Sequence, residues 1–79
     1  MDKGLKKFTV YVEGRYFDGG RLYGTRVKFA RTAKEAEQKV CDYFENHNYD
    51  EPIMRVSGSR RWEPGDKSHD EVYAYWGMD

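Results

Sequence analysis

The chain has 79 residues, of which 38% are hydrophobic, 16% aromatic and 35% charged, and its mean hydropathy is −1.05. This length allows one domain, spanning residues 1–79, with one small core. The aromatic share argues against disorder, because aromatic side chains bury large areas. The single cysteine, Cys41, excludes an internal disulfide and favours a reducing compartment. Since the sequence shows no apolar signal region and no run of membrane-spanning length, we expect a cytoplasmic protein without membrane contact.

Charge is unevenly distributed along the chain although the formal net charge is zero. Residues 1–31 contain eight Lys or Arg residues against three acidic ones, whereas residues 32–51 contain two against six. Such a dipolar domain can steer a charged partner to one side. The alternative is an ordinary surface of mixed charge.

The first part of the chain alternates between apolar and polar residues, which predicts two strands, over residues 6–13 and 21–31. A turn is predicted between them at Asp18-Gly19-Gly20, since glycine adopts positive φ without penalty. The two strands therefore form an antiparallel hairpin. The side chains predicted to face a helix are Phe8, Val10, Val12, Val27 and Phe29.

A helix is predicted over residues 32–47. Thr32 and Glu35 have the spacing of a capping box, in which each side chain bonds a free backbone N–H of the first turn. Apolar residues recur with a period of 3.6, which predicts one face directed at the sheet. That face consists of Ala33, Ala36, Val40, Phe44 and His47.

Two further strands are predicted after the helix, over residues 53–57 and 71–76, with Met54 and Val56 directed inward. The loop between them, residues 60–70, contains a Pro64-Gly65 turn. The predicted fold is α+β: a two-layer, four-stranded antiparallel sheet with one α-helix packed on one face, in the order ββαββ.

Catalytic and metal-binding patterns are poorly matched. Cys41, His47 and His69 lack the recurrent spacing of metal ligands, and the glycines lack the strand-to-helix setting of a phosphate loop. Residues 66–70 have the types found in hydrolases but lie in one loop, whereas catalytic groups need a rigid shell. We therefore expect a protein that is not an enzyme and that uses no cofactor and no metal.

The sheet face opposite the helix is predicted to carry aromatic and basic residues together. Such a face could stack bases and neutralise phosphates. The same residue types are also enriched at protein interfaces, and they suit any exposed antiparallel sheet. The candidates are Tyr11, Arg26, Lys28, Arg55, Tyr73 and Tyr75.

Arg60-Arg61-Trp62 is the sharpest local feature of the predicted loop. Arg and Trp supply large areas with directional polar contacts at interface centres, and adjacent arginines can clamp carboxylates or phosphates. We predict that this tripeptide is the anchor of a protein interface. The competing interpretation is that Trp62 folds back as a lid on a small core.

In its short length, ββαββ order, single helix capped at Thr32, absent catalytic motif and charged surface, the chain resembles the small accessory proteins of phages and mobile elements, including anti-CRISPR inhibitors. The resemblance implies stoichiometric inhibition in the host cytoplasm, by docking on a host protein or nucleoprotein complex and blocking its nucleic-acid path. It assigns no residue a role. The alternative function is direct binding of nucleic acid by the open sheet face, against which the zero net charge weighs.

Overall fold

The computed structural model describes residues 4–47, 52–66 and 71–75, with the backbone alone described for the last of these ranges. Two strands come first, β1 (Lys6–Arg15) and β2 (Arg21–Ala30), followed by the helix α1 (Ala33–Asn46). Two more strands, β3 (Ile53–Arg61) and β4 (Glu71–Tyr75), complete the order. The described part contains no helix that is long and apolar enough to cross a membrane.

The helix packs on an antiparallel sheet of three strands, in the order β2-β1-β3. The predicted α+β class with an antiparallel sheet is confirmed, but the predicted four-stranded sheet beneath the helix is wrong. A helix is about 10 Å across and strands lie about 4.8 Å apart, so one helix covers roughly two or three strands. The short backbone segment β4 runs antiparallel along the outer edge of β2, at the far side of the sheet from β3.

A five-residue loop, residues 16–20, joins β1 to β2 and sets their register. The backbone N–H of Tyr16 donates to the carbonyl of Gly20 (2.9 Å), and the N–H of Gly20 donates to Oδ1 of Asp18 (3.0 Å). Gly19 has a φ of +97°, which favours glycine at this position. The predicted turn is therefore confirmed, and it places Arg15 directly opposite Arg21.

This register reverses the predicted orientation of β2. Residues directly opposite each other on paired strands share a face, and Phe8 lies opposite Lys28 while Val10 lies opposite Arg26. The helix-facing prediction is confirmed for Phe8, Val10 and Val12, which are buried, but it is wrong for Val27 and Phe29. A shift of one residue is enough to exchange the faces of a strand. The buried core consists of Phe8, Val10, Val12, Ala30, Ala36 and Val40, with Ala33, Phe44, Met54 and Val56 packed against it.

Arg26 and Lys28 therefore lie on the helix side of the sheet, and their predicted place on the open side is wrong. The guanidinium carbon of Arg26 lies 5.8 Å from the ring centre of Phe44, and both cations line a groove beside Val40 and Tyr43. Long basic side chains can cover apolar surface with their stems while their charged ends reach water. The side of this groove that β2 forms is therefore partly polar.

A β-bulge in β3 changes which side chains face the helix. Gly58 pairs with Tyr11 and Val56 pairs with Val12, so Ser57 is the extra residue. Before the bulge, Met54 and Val56 face the core, as predicted. After it the alternation is inverted, because a bulge adds one residue to one strand of the pair. Arg60 thereby moves to the face opposite the helix.

The helix begins and ends close to the predicted positions. Thr32 is the N-cap, and its hydroxyl accepts from the backbone N–H of Glu35 (3.1 Å). The carboxylate of Glu35 accepts a hydrogen bond from the backbone N–H of Arg31 (2.6 Å). In an ideal capping box the donor would be the N–H of the next residue, Thr32. His47 is exposed and stacks on Tyr43 with 3.9 Å between ring centres, so its predicted place on the apolar face is wrong.

We expect Thr32→Ala to lower the free energy of unfolding by about 1 kcal/mol, because one backbone donor of the first turn loses its acceptor. Urea unfolding followed by circular dichroism measures this change. Thr32→Ser keeps the hydroxyl and should stay close to wild type. Equal losses in the two variants would contradict a capping role for the oxygen.

Candidate functional site

The open face is the side of the sheet away from α1, and it combines cations with aromatic rings. Its position follows from the register and from the bulge in β3. The open face is formed by side chains from β1, β2 and β3 and by Trp62, which follows β3 directly. These side chains are Lys7, Thr9, Tyr11, Glu13, Arg15, Arg21, Tyr23, Thr25, Val27, Phe29, Ile53, Arg55, Arg60 and Trp62. Five of these are cationic and one, Glu13, is acidic.

At one end of the open face Lys7 lies between two aromatic rings. The backbone N–H of Trp62 donates to the carbonyl of Lys7 (3.0 Å), which continues the β1–β3 ladder by one residue. Nζ of Lys7 lies 3.9 Å from the ring centre of Trp62 and 6.0 Å from that of Phe29. Phe29 is 54% exposed, which is unusual for a large apolar side chain in a core-forming hairpin. This end offers a cation with aromatic surface on both sides.

Arg60 is held in place by hydrogen bonds on the open face. Its Nε donates to the hydroxyl of Tyr11 (2.7 Å) and its guanidinium donates to Asp66 (2.7 Å). The bond from Arg60 holds the pKa of the Asp66 carboxyl below its usual range, and the same bond raises the pKa of Arg60. Asp66 therefore stays ionised and fixes the guanidinium beside the sheet.

The predicted Pro64-Gly65 turn brings Asp66 into this position. The N–H of Asp66 donates to the carbonyl of Glu63 (2.9 Å), and Gly65 has a φ of +102°. Pro followed by a residue with positive φ is typical of a type II turn. A carboxylate oxygen of Asp66 also accepts from the N–H of Glu63 (2.8 Å), so the turn and the Arg60 bond support each other.

Two arginines face each other at the other end of the open face. Arg15 and Arg21 are direct cross-strand partners, and like charges in this position reduce stability. Together with Phe17, Gly19 and Ile53 they line an open cavity of about 340 Å³ at the tip of the hairpin. A negatively charged group placed between the two guanidinium groups would remove their repulsion.

The middle of the open face contains two buried hydroxyl oxygens that have no hydrogen-bond partner among the described residues. Thr9 is 6% exposed, and its Oγ1 has no partner; the same is true of Oγ1 in Thr25. Thr9 lies opposite Val27 and Arg60, and Thr25 lies opposite Tyr11. A buried hydroxyl without a partner costs about 1–3 kcal/mol.

The outer surface of the helix has the opposite charge to the open face. Its first turn carries Glu35, and Asp42 and Glu45 are exposed further along, against Lys34 and Lys39. Glu37 accepts a hydrogen bond from Ser59, and Gln38 donates to Asp42 (2.8 Å). The acidic surface of the helix and the basic open face therefore lie on opposite sides of the domain, which helps to orient the molecule in the field of a charged partner.

The structure brings together only part of the predicted site. Tyr11, Arg55, Arg60 and Trp62 share the open face, where Arg55 pairs with Glu13. Three predicted residues, Arg26, Lys28 and Arg61, lie on the other side. The residues Tyr73 and Tyr75 of β4 pair with Tyr23 and Arg21, and their side chains lie outside the described part of the chain.

The predicted Arg60-Arg61-Trp62 anchor is divided between two faces. Arg60 and Arg61 end β3 and are not in a loop as predicted, and the guanidinium of Arg61 lies 5.8 Å from the ring centre of Phe8 on the helix side. Trp62 is half-buried and lies on the open face, outside the core cluster. Its side chain is therefore no lid on the helix-facing core. Its role as an interface anchor stays a prediction.

Four contributors to the open face were absent from the predicted site: Lys7, Arg15, Arg21 and Phe29. The length of the 16–20 loop carried the necessary signal, because pairing Arg15 with Arg21 fixes every later pair in the hairpin. The alternation of β2 alone could not supply it, since Val27 and Phe29 are the more apolar set. Tyr23, which is 41% exposed, lies on the same face of β2 as Phe29.

A second concave region lies between the C-terminal half of α1 and β3. It has a volume of about 400 Å³ and is lined by Cys41, Phe44, Met54 and Val56 among others. Burial and the nearby Glu45 raise the pKa of the Cys41 thiol, which keeps it protonated and weakly nucleophilic. Within residues 4–47 and 52–66, no three or more His, Cys, Asp or Glu side chains are close enough to hold a metal ion.

Comparison of the chain with known families, proteins and structures finds no match. No family model, no curated protein and no solved structure matches this chain.

Proposed function

We propose that this chain is a non-enzymatic binding module that docks its open face on an anionic surface of a host nucleoprotein complex. In this role it would block the nucleic-acid path as a stoichiometric inhibitor of the anti-CRISPR kind, in the host cytoplasm. The observation that carries the proposal is the excess of cations over carboxylates on the open face. The strands contribute five cations and one carboxylate, that of Glu13, to this face.

The shifted pKa values support binding over catalysis. Arg60 and Asp66 stabilise each other in their charged forms, and the Cys41 thiol is held in its protonated form. A general base or an activated nucleophile needs the opposite shifts, towards the working pH. Each of these three groups is therefore better suited to a structural role.

The opposed pair Arg15 and Arg21 supports an anionic partner more directly. The pair costs stability in the free protein, because like charges lie directly across the strands. Binding of a carboxylate or phosphate would turn this repulsion into two charge-assisted hydrogen bonds. The free energy lost in folding is then recovered on docking.

Direct binding of nucleic acid is the second candidate, and it uses the same face. The specific observation in its favour is that exposed aromatic rings lie next to cations: Phe29 is opposite Lys7, and Tyr23 follows Arg21 on the same face of β2. Aromatic rings between basic groups are the usual components of a surface that binds nucleic acid through phosphates and bases.

We expect the double variant Lys7→Glu/Arg15→Glu to abolish capture of the partner complex from a bacterial lysate. The matched control is Lys28→Glu/Lys34→Glu, which changes the charge by the same amount away from the open face and should leave capture intact. Each bait is used with and without nuclease treatment, after circular dichroism has shown that it is folded.

Equal capture by both double variants would contradict the use of the open face. Loss of capture in the control alone would contradict it as well and would place the interface on the helix side of the sheet. Capture that disappears after nuclease treatment would favour the second candidate.

A further inference from the structure

We propose that the outer edge of β3 binds an extended, acidic segment of a partner protein as an added antiparallel strand. Apolar side chains of this segment would enter the α1–β3 cleft, which is the concave region lined by Cys41, Phe44, Met54 and Val56 among others. The inference goes beyond docking by the open face, because it uses the edge of the sheet and its helix side. The segment has an acidic residue opposite Arg55, between two apolar residues.

The outer side of β3 is available for pairing. β3 lies at one edge of the sheet, where it pairs with β1 on its inner side and with no described strand on its outer side. An edge strand presents unpaired backbone N–H and C=O groups, which can pair with another extended chain. The bulge at Ser57 divides β3 into two regular segments, of which residues 53–56 line the cleft.

The hydrogen bonds of β1 show which of its residues bond to β3. In an antiparallel sheet, successive residues of a strand bond alternately to the neighbour on one side and to the neighbour on the other. The N–H of Tyr16, just after β1, donates to the carbonyl of Gly20 on the β2 side. The carbonyl of Lys7 accepts from the N–H of Trp62 on the β3 side. The odd-numbered residues of β1 therefore bond to β3.

Met54 and Val56 direct their backbone groups to the outer edge of β3. Arg55 lies opposite Glu13, an odd-numbered residue of β1, so the backbone groups of Arg55 bond to β1. The residues on either side of Arg55 therefore direct their N–H and C=O groups away from β1. Each of the two residues offers one donor and one acceptor to an incoming strand.

The α1–β3 cleft opens at this same edge. It has a volume of about 400 Å³, and its walls include the four consecutive residues 53–56 together with Phe44. Consecutive residues of a strand face opposite sides of a sheet, and β1 occupies the inner edge, so a cavity that touches all four lies at the outer edge. Helix-side side chains of an added strand would enter the cleft beside Cys41, Phe44 and Met54, which favours apolar residues there.

The other side of the edge favours an acidic residue. The side chain of Arg55 is 69% exposed, and β3 contains three arginines and no carboxylate. A residue directly opposite Arg55 on an added strand would lie on the same face as its side chain. Nε of Arg55 pairs with Glu13. Because a guanidinium has five N–H donors, a second carboxylate can bond Arg55 alongside Glu13.

A second copy of the chain fits this edge less well than an acidic segment does. Antiparallel pairing of two β3 strands, with Met54 of each opposite Val56 of the other, would place the two copies of Arg55 opposite each other. Like charges in direct cross-strand positions are destabilising. Pro52 before the segment and the bulge after it are also features that restrict pairing between identical edges.

The test is an NMR titration of ¹⁵N-labelled protein with a capped peptide of about six residues, the usual length of a strand, with Val-Glu-Val at its centre. We expect hydrogen exchange of the Met54 and Val56 amides to slow at least tenfold at saturation, because these amides gain acceptors. The amides of Ile53 and Arg55 already bond to β1 and should exchange slowly with or without peptide. Slow exchange at Met54 and Val56 in the free protein would overturn the inference, because the edge would already be occupied.

N-methylation of the peptide separates backbone pairing from side-chain contacts. The two valines, opposite Met54 and Val56, would direct their N–H groups at β3, and the glutamate would direct its N–H away. We therefore expect N-methylation of either valine to weaken binding at least tenfold. The matched control, N-methylation of the glutamate, should leave the affinity within about twofold of the parent peptide. Equal effects at all three positions would contradict an added strand.

A peptide with Val-Lys-Val at its centre tests the charge preference. We expect it to bind wild-type protein at least threefold more weakly than the Val-Glu-Val peptide, and Arg55→Gln should remove this difference without a large change in melting temperature. A preference that persists in Arg55→Gln, or no binding of the Val-Glu-Val peptide, would overturn the inference. Capture of the host complex by Lys7→Glu/Arg15→Glu is measured separately, so failure of the edge site is distinguishable from failure of the open face.

Discussion

Phe8→Ala should lower the free energy of unfolding by about 3–5 kcal/mol, which is much of the stability of a domain of this size. Phe8 is 4% exposed and is the largest side chain of the buried core. The remaining members of the core are three valines and two alanines, which cannot move to fill the space of an aromatic ring. Urea unfolding followed by near-UV circular dichroism measures the loss.

Phe29→Ala is the matched control, because it removes the same ring from the same hairpin. Phe29 is 54% exposed on the open face, and we expect its loss to change stability by less than about 1 kcal/mol. The pair of variants tests the register of the hairpin directly. Equal losses would contradict the observed register and restore the predicted one, in which both rings face the helix.

The helix and the face of β1 that is directed at it could be predicted, because each depends on a local pattern. Thr32 and Glu35 form a capping arrangement within one turn, and Phe8, Val10 and Val12 alternate without interruption. Their orientation needs no knowledge of the rest of the chain. The α+β class follows from the same local signals.

The orientation of β2 and the second half of β3 could not be predicted from alternation, because each depends on a count of residues elsewhere. The alternating side chains of β2 form two sets, one with Arg26 and a more apolar one with Val27. The five residues of the turn fix the register so that the set with Arg26 faces the helix. In β3 a single extra residue, Ser57, inverts the faces beyond it. The turn moved Arg26 and Lys28 to the helix side, and the bulge placed Arg60 on the open face and Arg61 on the helix side.

The extent of the helix-covered sheet is a similar case. The apolar alternation of residues 71–76 predicted a fourth strand of the sheet, but the sheet on which the helix packs consists of β2, β1 and β3. Which strands the helix contacts depends on the width of the helix and on the edge of the sheet at which the last strand pairs. The sequence of residues 71–76 determines neither of these.

Gly14→Val should lower the free energy of unfolding by about 1–3 kcal/mol, although glycine inside a strand is normally unfavourable. A Cβ atom at Gly14 would lie 2.6 Å from Sδ of Met54 and 3.1 Å from Cβ of Pro52. Met54 can turn aside, but the proline ring has little freedom, so the strand or the ring must shift. The matched control is Gly58→Val in β3, where a Cβ would meet no atom within 4 Å. Because valine favours strands, the control should be neutral or stabilising.

The contributions of Met54 and Pro52 to the clash can be separated by making Gly14→Val in a chain that already carries Met54→Ala. If Met54 supplies most of the clash, Gly14→Val should cost less in this background than in the wild-type chain, and the difference is the coupling energy of the pair. If Pro52 supplies it, the cost should be the same in both backgrounds. Stabilisation by Gly14→Val in the wild-type chain would show that β1 does not approach β3 as closely as the distances require. In that case the close packing of Met54 beside Gly14 would also be wrong.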